Sequence, residues 1–349
     1  MSPKTTLIAG ALALIWAGAT ASTLRVANAG DALSMDPHAL LEGVQISLNS
    51  NIYEPLVEWD KQMKLAPALA TAWRRTAPTV WRFELRRGVR FHDGTPFTAD
   101  DVVFSFERAN AKGSDLRNES IKQVRKIDDA TIEIVTHAPF PILPQTLTFV
   151  LMMSRKWCME NKAETPADVR KGLENSASFR ANGTGPFLLR ERQPSLRTVL
   201  ARNPHYWQKL ESNLDEIVFM PIANDATRVS ALLSGDIDLM EPAPLRDVDR
   251  IRATGKFTVL QGPELRIIYL GMDQKRDELL HSNVKGANPL KDRRVRQAIY
   301  QAIDVETIRS RVMRNAAMPT ALMIAPGIRG FQPDMNVRLP YDPAAARRL

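Results

Sequence analysis

The sequence contains a single cysteine, Cys158, in 349 residues. No disulfide can close within the chain, so the fold rests on burial of its core. Histidines are sparse: His38, His92, His137, His205 and His281 are scattered, none four residues from another, and there is no HExxH. That excludes a compact zinc site readable from spacing. There is no G-x-S-x-G elbow. Gly183-Thr184-Gly185-Pro186 lacks the Gly-Lys-Ser/Thr ending of a phosphate loop and has a proline where a backbone donor would be needed. Beyond the N-terminus no apolar run reaches the roughly 18 residues that span a bilayer. Internal repeats and low-complexity tracts are absent.

The N-terminus is where hydrophobicity concentrates. Lys4 gives a positive start, Leu7 to Ala17 is an unbroken run of apolar or small residues, and Ala19-Thr20-Ala21 is a small-x-small cleavage site. This pattern predicts a secretory signal peptide over 1–21, cleaved after Ala21. Ser22 follows, not the cysteine a lipoprotein needs, so the product is expected without a lipid anchor and in a Gram-negative periplasm. The formal net charge is +8. Its basic residues are dispersed among acids and carry no zinc-finger, recognition-helix or RNA-stacking pattern, which argues against nucleic acid.

The rest alternates short strands with helices, predicting α/β or α+β domains. Leu24–Ala27 is a short strand, and Leu40, Val44 and Leu48 share a stripe that predicts a helix over 39–51. Trp81, Phe83 and Leu85 alternate with Arg82, Glu84 and Arg86, as a half-buried strand does. The stretch GVRFHDGTPFTADDVVFSF at 88–106 follows. His92-Asp93 invites an acid–base or metal reading, but Asp-Gly-Thr-Pro is turn chemistry, and Thr98 with Asp100 and Asp101 is a helix start. The pair is therefore read as a solvent-facing turn, with Val102, Val103 and Phe106 as a buried stripe. Further on, 188–189 and 198–200 read as a hairpin, 226–233 as a helix stopped by Gly235, and 237–239 as a strand. The helix over 295–303 has Val295, Ile299, Ala302 and Ile303 inward. Cys158 reads as a buried structural thiol, Asp128-Asp129 as a turn, and Arg293-Arg294-Val295-Arg296 as a solvated face. Asp342-Pro343-Ala344-Ala345 is a new helix start, so the sequence reads as C-terminally truncated.

Several motifs in fixed order resemble one family. They are Tyr53-Glu54-Pro55-Leu56-Val57, Leu65-Ala66-Pro67-Ala68-Leu69-Ala70 with Trp73, and Trp81–Arg86 running on through Phe104. Gly183-Thr184-Gly185-Pro186-Phe187, Asn203-Pro204-His205-Tyr206-Trp207, Ser234-Gly235-Asp236-Ile237-Asp238 and Asp292–Ala298 with Ala302-Ile303-Asp304 continue the series. Over 24–349 the chain resembles the extracellular solute-binding protein family 5 of ABC importers, which includes dipeptide-, oligopeptide- and nickel-binding proteins. It departs at Thr76-Ala77-Pro78-Thr79, where the family commonly has an Asp-Gly turn, and it is shorter than the family.

The resemblance implies a two-lobe, type II-like α/β binding protein of the Venus-flytrap kind. Lobe one would be 22–263 with an inserted subdomain at about 53–177, and 264–349 would begin an incomplete second lobe. It implies a monomer that captures a peptide or peptide-like solute by lobe closure and delivers it to an inner-membrane permease with its ATPase, with no catalytic residue, metal or cofactor. The expected ligand contacts are Asp31, Met35, Val44, Gln45, Asn118, Thr184, Gly185 and Pro186, and the expected hinge is Gln261, Gly262 and Arg266. In peptide-binding relatives the acid that holds the ligand's amino group lies in the missing part. A nickel-chelate, sugar or opine ligand in the same family is the alternative. From other classes, a secreted hydrolase or a non-functional fragment remain.

Overall fold

A computed structural model describes residues 22–349 except Pro263 and Arg329. The signal peptide read at 1–21, with its cleavage after Ala21, lies outside the described residues. The chain forms two units, the first ending at Pro242 and the second running from Ala243 to Leu349.

The first unit holds three sheets, of five, four and two strands. Strand β1 (Thr23–Asn28) enters a loop and the short helix α1 (Gly43–Asn49), then the chain runs into β2 (Val57–Trp59) and β3 (Leu65–Pro67). Next come β4 (Ala70–Ala77), β5 (Val80–Leu85), α2 (Ala99–Ala109), β6 (Ile121–Asp128) and β7 (Thr131–Thr136), then the helical segments α3 (Leu143–Thr146) and α4 (Arg155–Glu160). The chain then returns through β8 (Phe187–Gln193), β9 (Arg197–Arg202), β10 (Glu216–Pro221), α5 (Asp225–Ser234) and β11 (Leu239–Glu241). A five-stranded sheet has the order β11-β1-β10-β9-β8, in which β1 lies parallel to both β10 and β11. A separate four-stranded antiparallel sheet has the order β4-β5-β7-β6. It lies in sequence between β1 and β8, so the second sheet is an insertion into the first.

Each of the two larger sheets has its own apolar core. Phe83, Val102, Phe106, Ile132 and Ile134 pack together between the four-stranded sheet and α2. The alternation in β5 and the stripe on α2 put these residues on facing surfaces. α2 starts as its sequence dictates: the Asp101 carboxylate accepts the backbone N–H of Thr98 at 2.9 Å and its hydroxyl at 3.1 Å. The other core gathers Met35, Ile52, Tyr53, Met153, Cys158, Phe187 and Leu200 against the five-stranded sheet.

Between the cores lies an ion pair with no solvent exposure on either side chain, Asp36–Arg108. Arg108 donates to Asp36 Oδ1 at 2.7 Å and Oδ2 at 2.6 Å, and its remaining donors go to the carbonyls of Ala163 and Thr165. Asp36 also accepts the backbone N–H groups of His38 and Ala167, each at 3.0 Å. Burial pushes the Asp36 carboxyl up, but the hydrogen bonds and charge of Arg108 outweigh it and hold it below its ordinary value. This pinning also explains why α1 is shorter than the helix predicted over 39–51. The Gln45 side chain donates to the carbonyls of Asp36 and Leu40, holding 36–40 as a turn instead of a helical first turn.

The second unit holds α6 (Val248–Ala253) and α7 (Arg293–Ala302), with no strand among its described residues. Leu260, Ile268 and Leu270 are exposed there. α7 buries a different stripe from the predicted one: Gln301 is covered, while Val295, Ile299 and Ile303 are half-buried and Ala302 is exposed. Gln301 is held by the Gln297 amide, and its carbonyl accepts the N–H of Asp342 at the head of the helix Pro343–Arg348. The first unit ends earlier than the 263/264 boundary read from the sequence. The five-stranded sheet finishes with β11, and the carbonyl of Pro242 accepts a hydrogen bond from Arg228.

Removing one partner of a wholly buried pair leaves an uncompensated charge. Arg108→Ala is expected to lower unfolding free energy by about 3–5 kcal/mol, measured by urea denaturation. Arg170→Ala, which breaks an exposed pair with Asp115, is expected to cost under about 1 kcal/mol.

Candidate functional site

The first loop and α1 form one wall of a small crevice in the first unit, of about 20 Å³. Pro37, Leu40, Leu41 and Ile46 line it on one side, and Leu116, Thr148, Phe149 and Leu151 on the other. Leu41 and Phe149 are largely exposed, whereas Leu40 and Leu151 are buried. The lining bears no ionisable side chain, only the amides of Gln45 and Asn49 and the hydroxyls of Ser50 and Thr148. Such a surface suits an uncharged or amide-bearing group with apolar substituents.

Of the residues predicted to contact ligand, Gln45 lines this groove but is buried, its Oε1 accepting the N–H of Ser34. Asn118 lies two residues past the lining residue Leu116, half-buried. Its amide donates to Thr146 Oγ1 at 3.4 Å and accepts the N–H of Ser120. Val44 is half-buried on α1 and packs against the Met35 core. Met35 is fully buried in that core, with its N–H on the carbonyl of Ser178. Asp31 pairs with Arg192 at 2.9 Å and accepts the N–H of Ser195, tying the first loop to the β8–β9 hairpin. Gln261, Gly262 and Arg266 are exposed in the second unit, and Arg266 pairs with Glu264 at 2.8 Å.

Thr184, Gly185 and Pro186 form a second, internal cluster. The Gly185 N–H donates to the carbonyl of Ile52 at 2.8 Å, and Phe187 donates to Asn51. A Cβ on Gly183 would stand 2.0 Å from the Ile52 oxygen, and one on Gly185 2.7 Å. These glycines therefore permit close backbone approach within the unit. On the other side, the turn at 92–94 clasps the same loop. The Gly183 N–H donates to His92 Nδ1 at 3.3 Å, His92 Nε2 bonds the Gly185 carbonyl at 3.0 Å, and the Asn182 side chain pairs with Asp93 through both of its polar atoms. The sequence placed this turn in solvent. It is instead packed on the loop, because its two polar side chains match the loop's free backbone and amide groups.

Sequence reasoning missed Glu54. Its buried carboxylate accepts the hydroxyl of Thr184 at 2.7 Å, the hydroxyl of Tyr206 at 2.7 Å and the indole N–H of Trp207 at 3.0 Å. Arg86 stacks on Trp207, 4.0 Å from the ring centroid. Burial raises the Glu54 carboxyl despite these three donors. The signal was a glutamate set among Tyr53, Pro55, Leu56 and Val57, a place where only a paired carboxylate is stable. Among the described residues, no three His, Cys, Asp or Glu side chains are placed to hold a metal ion. Burial pushes the Cys158 thiol up to about 12, far from a thiolate at neutral pH.

Two buried histidines set the acid stability of this region. Burial, then the charge of Arg108, pushes His38 down to about 4, and burial also lowers His92. Both fold neutral and are protonated more readily when unfolded. Their contribution is therefore complete above about pH 6.5 and is lost as pH falls towards the folded values. Unfolding free energy is expected to fall below pH 6.5 by about 1.4 kcal/mol per pH unit per histidine. Denaturant melts across pH 4–7 with His92→Gln, which cannot be protonated, are expected to show a shallower slope than the parent chain.

Residues 64–349 match the family described as bacterial extracellular solute-binding proteins, family 5, middle. The periplasmic murein peptide-binding protein MppA of Escherichia coli K12 is 24% identical over 323 residues, covering 86% of this chain and 56% of that protein. Heme-binding protein A of Haemophilus influenzae is 27% identical over 342 residues, covering 91% and 59%. Among solved structures, the periplasmic binding protein DppA from Helicobacter pylori, in complex with the peptide STSA, superimposes with a TM-score of 0.80 at 25% identity. That match covers 94% of this chain and 65% of that one. The chain thus spans somewhat over half the length of these relatives. With the family's profile matched over most of its length and an α/β fold shared with a peptide-bound relative, the chain belongs to the bacterial extracellular solute-binding proteins of family 5.

Proposed function

We propose that this chain is the ligand-capturing part of the substrate-binding component of an ABC importer, taking a peptide or peptide-like solute. The observation that carries the reading is the family match over 64–349. The groove adds the chemistry. Its apolar walls beside amide and hydroxyl groups, with no charged side chain in the lining, offer an edge that apolar and amide groups of a solute can meet. MppA is named for a murein peptide and the Helicobacter protein holds STSA, which favours the peptide class over a chelate, sugar or opine.

In this reading the protein is exported to the periplasm through its cleaved signal peptide and works there as a monomer without cofactor. Solute contacting both lobes stabilises a closed state, with Gln261, Gly262 and Arg266 absorbing the backbone change. The closed form then docks on an inner-membrane permease with its ATPase. Binding and release need no covalent step, so the protein acts as a carrier and not as an enzyme. Of the residues read as solute contacts, Gln45 lines the groove, Val44 is its neighbour on α1, and Asn118 lies two residues past the lining residue Leu116; these are the nearest candidates. Asp31, Met35, Thr184, Gly185 and Pro186 make contacts inside the unit.

Titration calorimetry against dipeptides, longer peptides, a nickel–histidine chelate, a sugar, an opine and heme tests this directly. Peptides are expected to bind, and Phe149→Ala or Leu116→Ala to weaken them roughly tenfold, about 1.4 kcal/mol. Binding confined to the chelate, sugar, opine or heme would contradict the peptide assignment. No binding to any of them would contradict the carrier role of this chain.

A further inference from the structure

The four-stranded sheet presents one face to its core and the other to solvent, and the solvent face carries an unusual row. In register across the strands stand Arg74 on β4, Arg82 on β5, Glu133 on β7 and Arg125 on β6. Glu133 is only 4% exposed. Its Oε1 accepts Nε and Nη2 of Arg82 at 3.0 and 2.7 Å, and its Oε2 accepts Nε and Nη2 of Arg125 at 3.0 and 2.5 Å. One carboxylate thus fixes two guanidiniums in place and leaves the Nη1 group of each without a partner among the described residues.

Arg74 makes no hydrogen bond or ion pair with a carboxylate among the described residues, although Glu84 shares the lining, and it stands directly opposite Arg82. Like charges directly opposed across a strand pair are destabilising, so folding alone gives no reason for an arginine here. Beside the pair the sheet sinks into a depression of about 490 Å³, lined by Arg74, Arg82, Arg87, Thr71 and Thr131, with Glu84 and Asp128 also in the lining. The Asp128 carboxylate is committed to the N–H of Ala130 at 2.8 Å. Arg87 makes no side-chain hydrogen bond among the described residues, and its charge acts on Asp128 from a distance. Three arginines therefore line one open hollow, one of them already held by Glu133.

We propose that this hollow is an oxyanion site that takes a phosphate group, held by Arg74, Arg82 and Arg87. A dianionic phosphate has enough acceptor oxygens for several guanidinium forks at once, and its charge relieves the opposition of Arg74 and Arg82. The site lies on the inserted sheet, apart from the solute groove, and is independent of the peptide assignment. The same chemistry is presented by a free phosphate compound and by a phospholipid headgroup.

Two titrations separate these sources: calorimetry with inorganic phosphate and pyrophosphate, and co-sedimentation with phosphatidylcholine vesicles with and without phosphatidylglycerol. Arg74→Gln and Arg87→Gln are each expected to weaken binding roughly tenfold. Lys61→Gln, a surface cation remote in sequence from the row whose side chain is 89% exposed, is expected to leave binding unchanged. Arg74→Gln is also expected to melt no lower than the parent chain, since it removes a repulsion. Binding to pyrophosphate that Arg74→Gln impairs supports the site with a soluble ligand, and binding only to phosphatidylglycerol vesicles with the same loss supports it with a headgroup. Absence of both, binding that survives Arg74→Gln, or an equal loss in Lys61→Gln would overturn it.

Discussion

The Asp36–Arg108 pair is the interaction on which the rest of the first unit depends. Both side chains are wholly withdrawn from water. Through their bonds to His38, Ala163, Thr165 and Ala167 they lock the loop after β1, the helix α2 and the return segment before β8 into one arrangement. Two charges this deep add little net stability compared with an apolar pair of the same shape. Their effect is geometric: four Arg108 donors and both Asp36 oxygens are engaged in one arrangement of three segments distant in sequence. Asp36 follows Met35 of one core and Arg108 stands between Phe106 and Ala109 of the other, so the pair joins the two cores.

The groove inherits its shape from that lock. Its wall is the turn 36–41, which begins at Asp36 and is closed by the Gln45 amide, so under the proposed function solute would meet a surface already formed. Glu54 does comparable work behind the wall, drawing Thr184, Tyr206 and Trp207 together, while His92 and Asp93 clasp the loop that carries Thr184. The titratable groups at these positions are thus engaged in holding backbone and neighbouring side chains. The groove lining itself carries no charge.

Much of this was legible in the sequence. Period-two alternation placed β5 within a residue, and Thr98 with Asp101 marked the start of α2, because both signals are local. The mixed α/β class and the family likeness followed from motifs in order. Positions that depend on distant partners were harder to read. Gln45 shortened α1 by bonding backward to carbonyls, which no periodicity reveals. Gly183 and Gly185 looked open to a ligand, yet they face the backbone of Ile52, some 130 residues earlier in the chain. His92 was read as part of a turn, but its packing on loop 182–186 was invisible, since its partners are backbone groups about 90 residues later. In α7 the apolar stripe suggested one covered face, whereas the helix at Pro343–Arg348 covers another.

The central claim is that the solute-facing wall is held ready by internal contacts and that solute binds at its edge. Amide hydrogen exchange with and without a bound peptide tests it most directly. The account predicts that the N–H groups of His38 and Ala167, both on the Asp36 carboxylate, exchange slowly without peptide. It also predicts that added protection appears at 40–46 and 116–118. Fast exchange of His38 and Ala167 in the free protein, or peptide protection that leaves both edge segments unchanged, would contradict it.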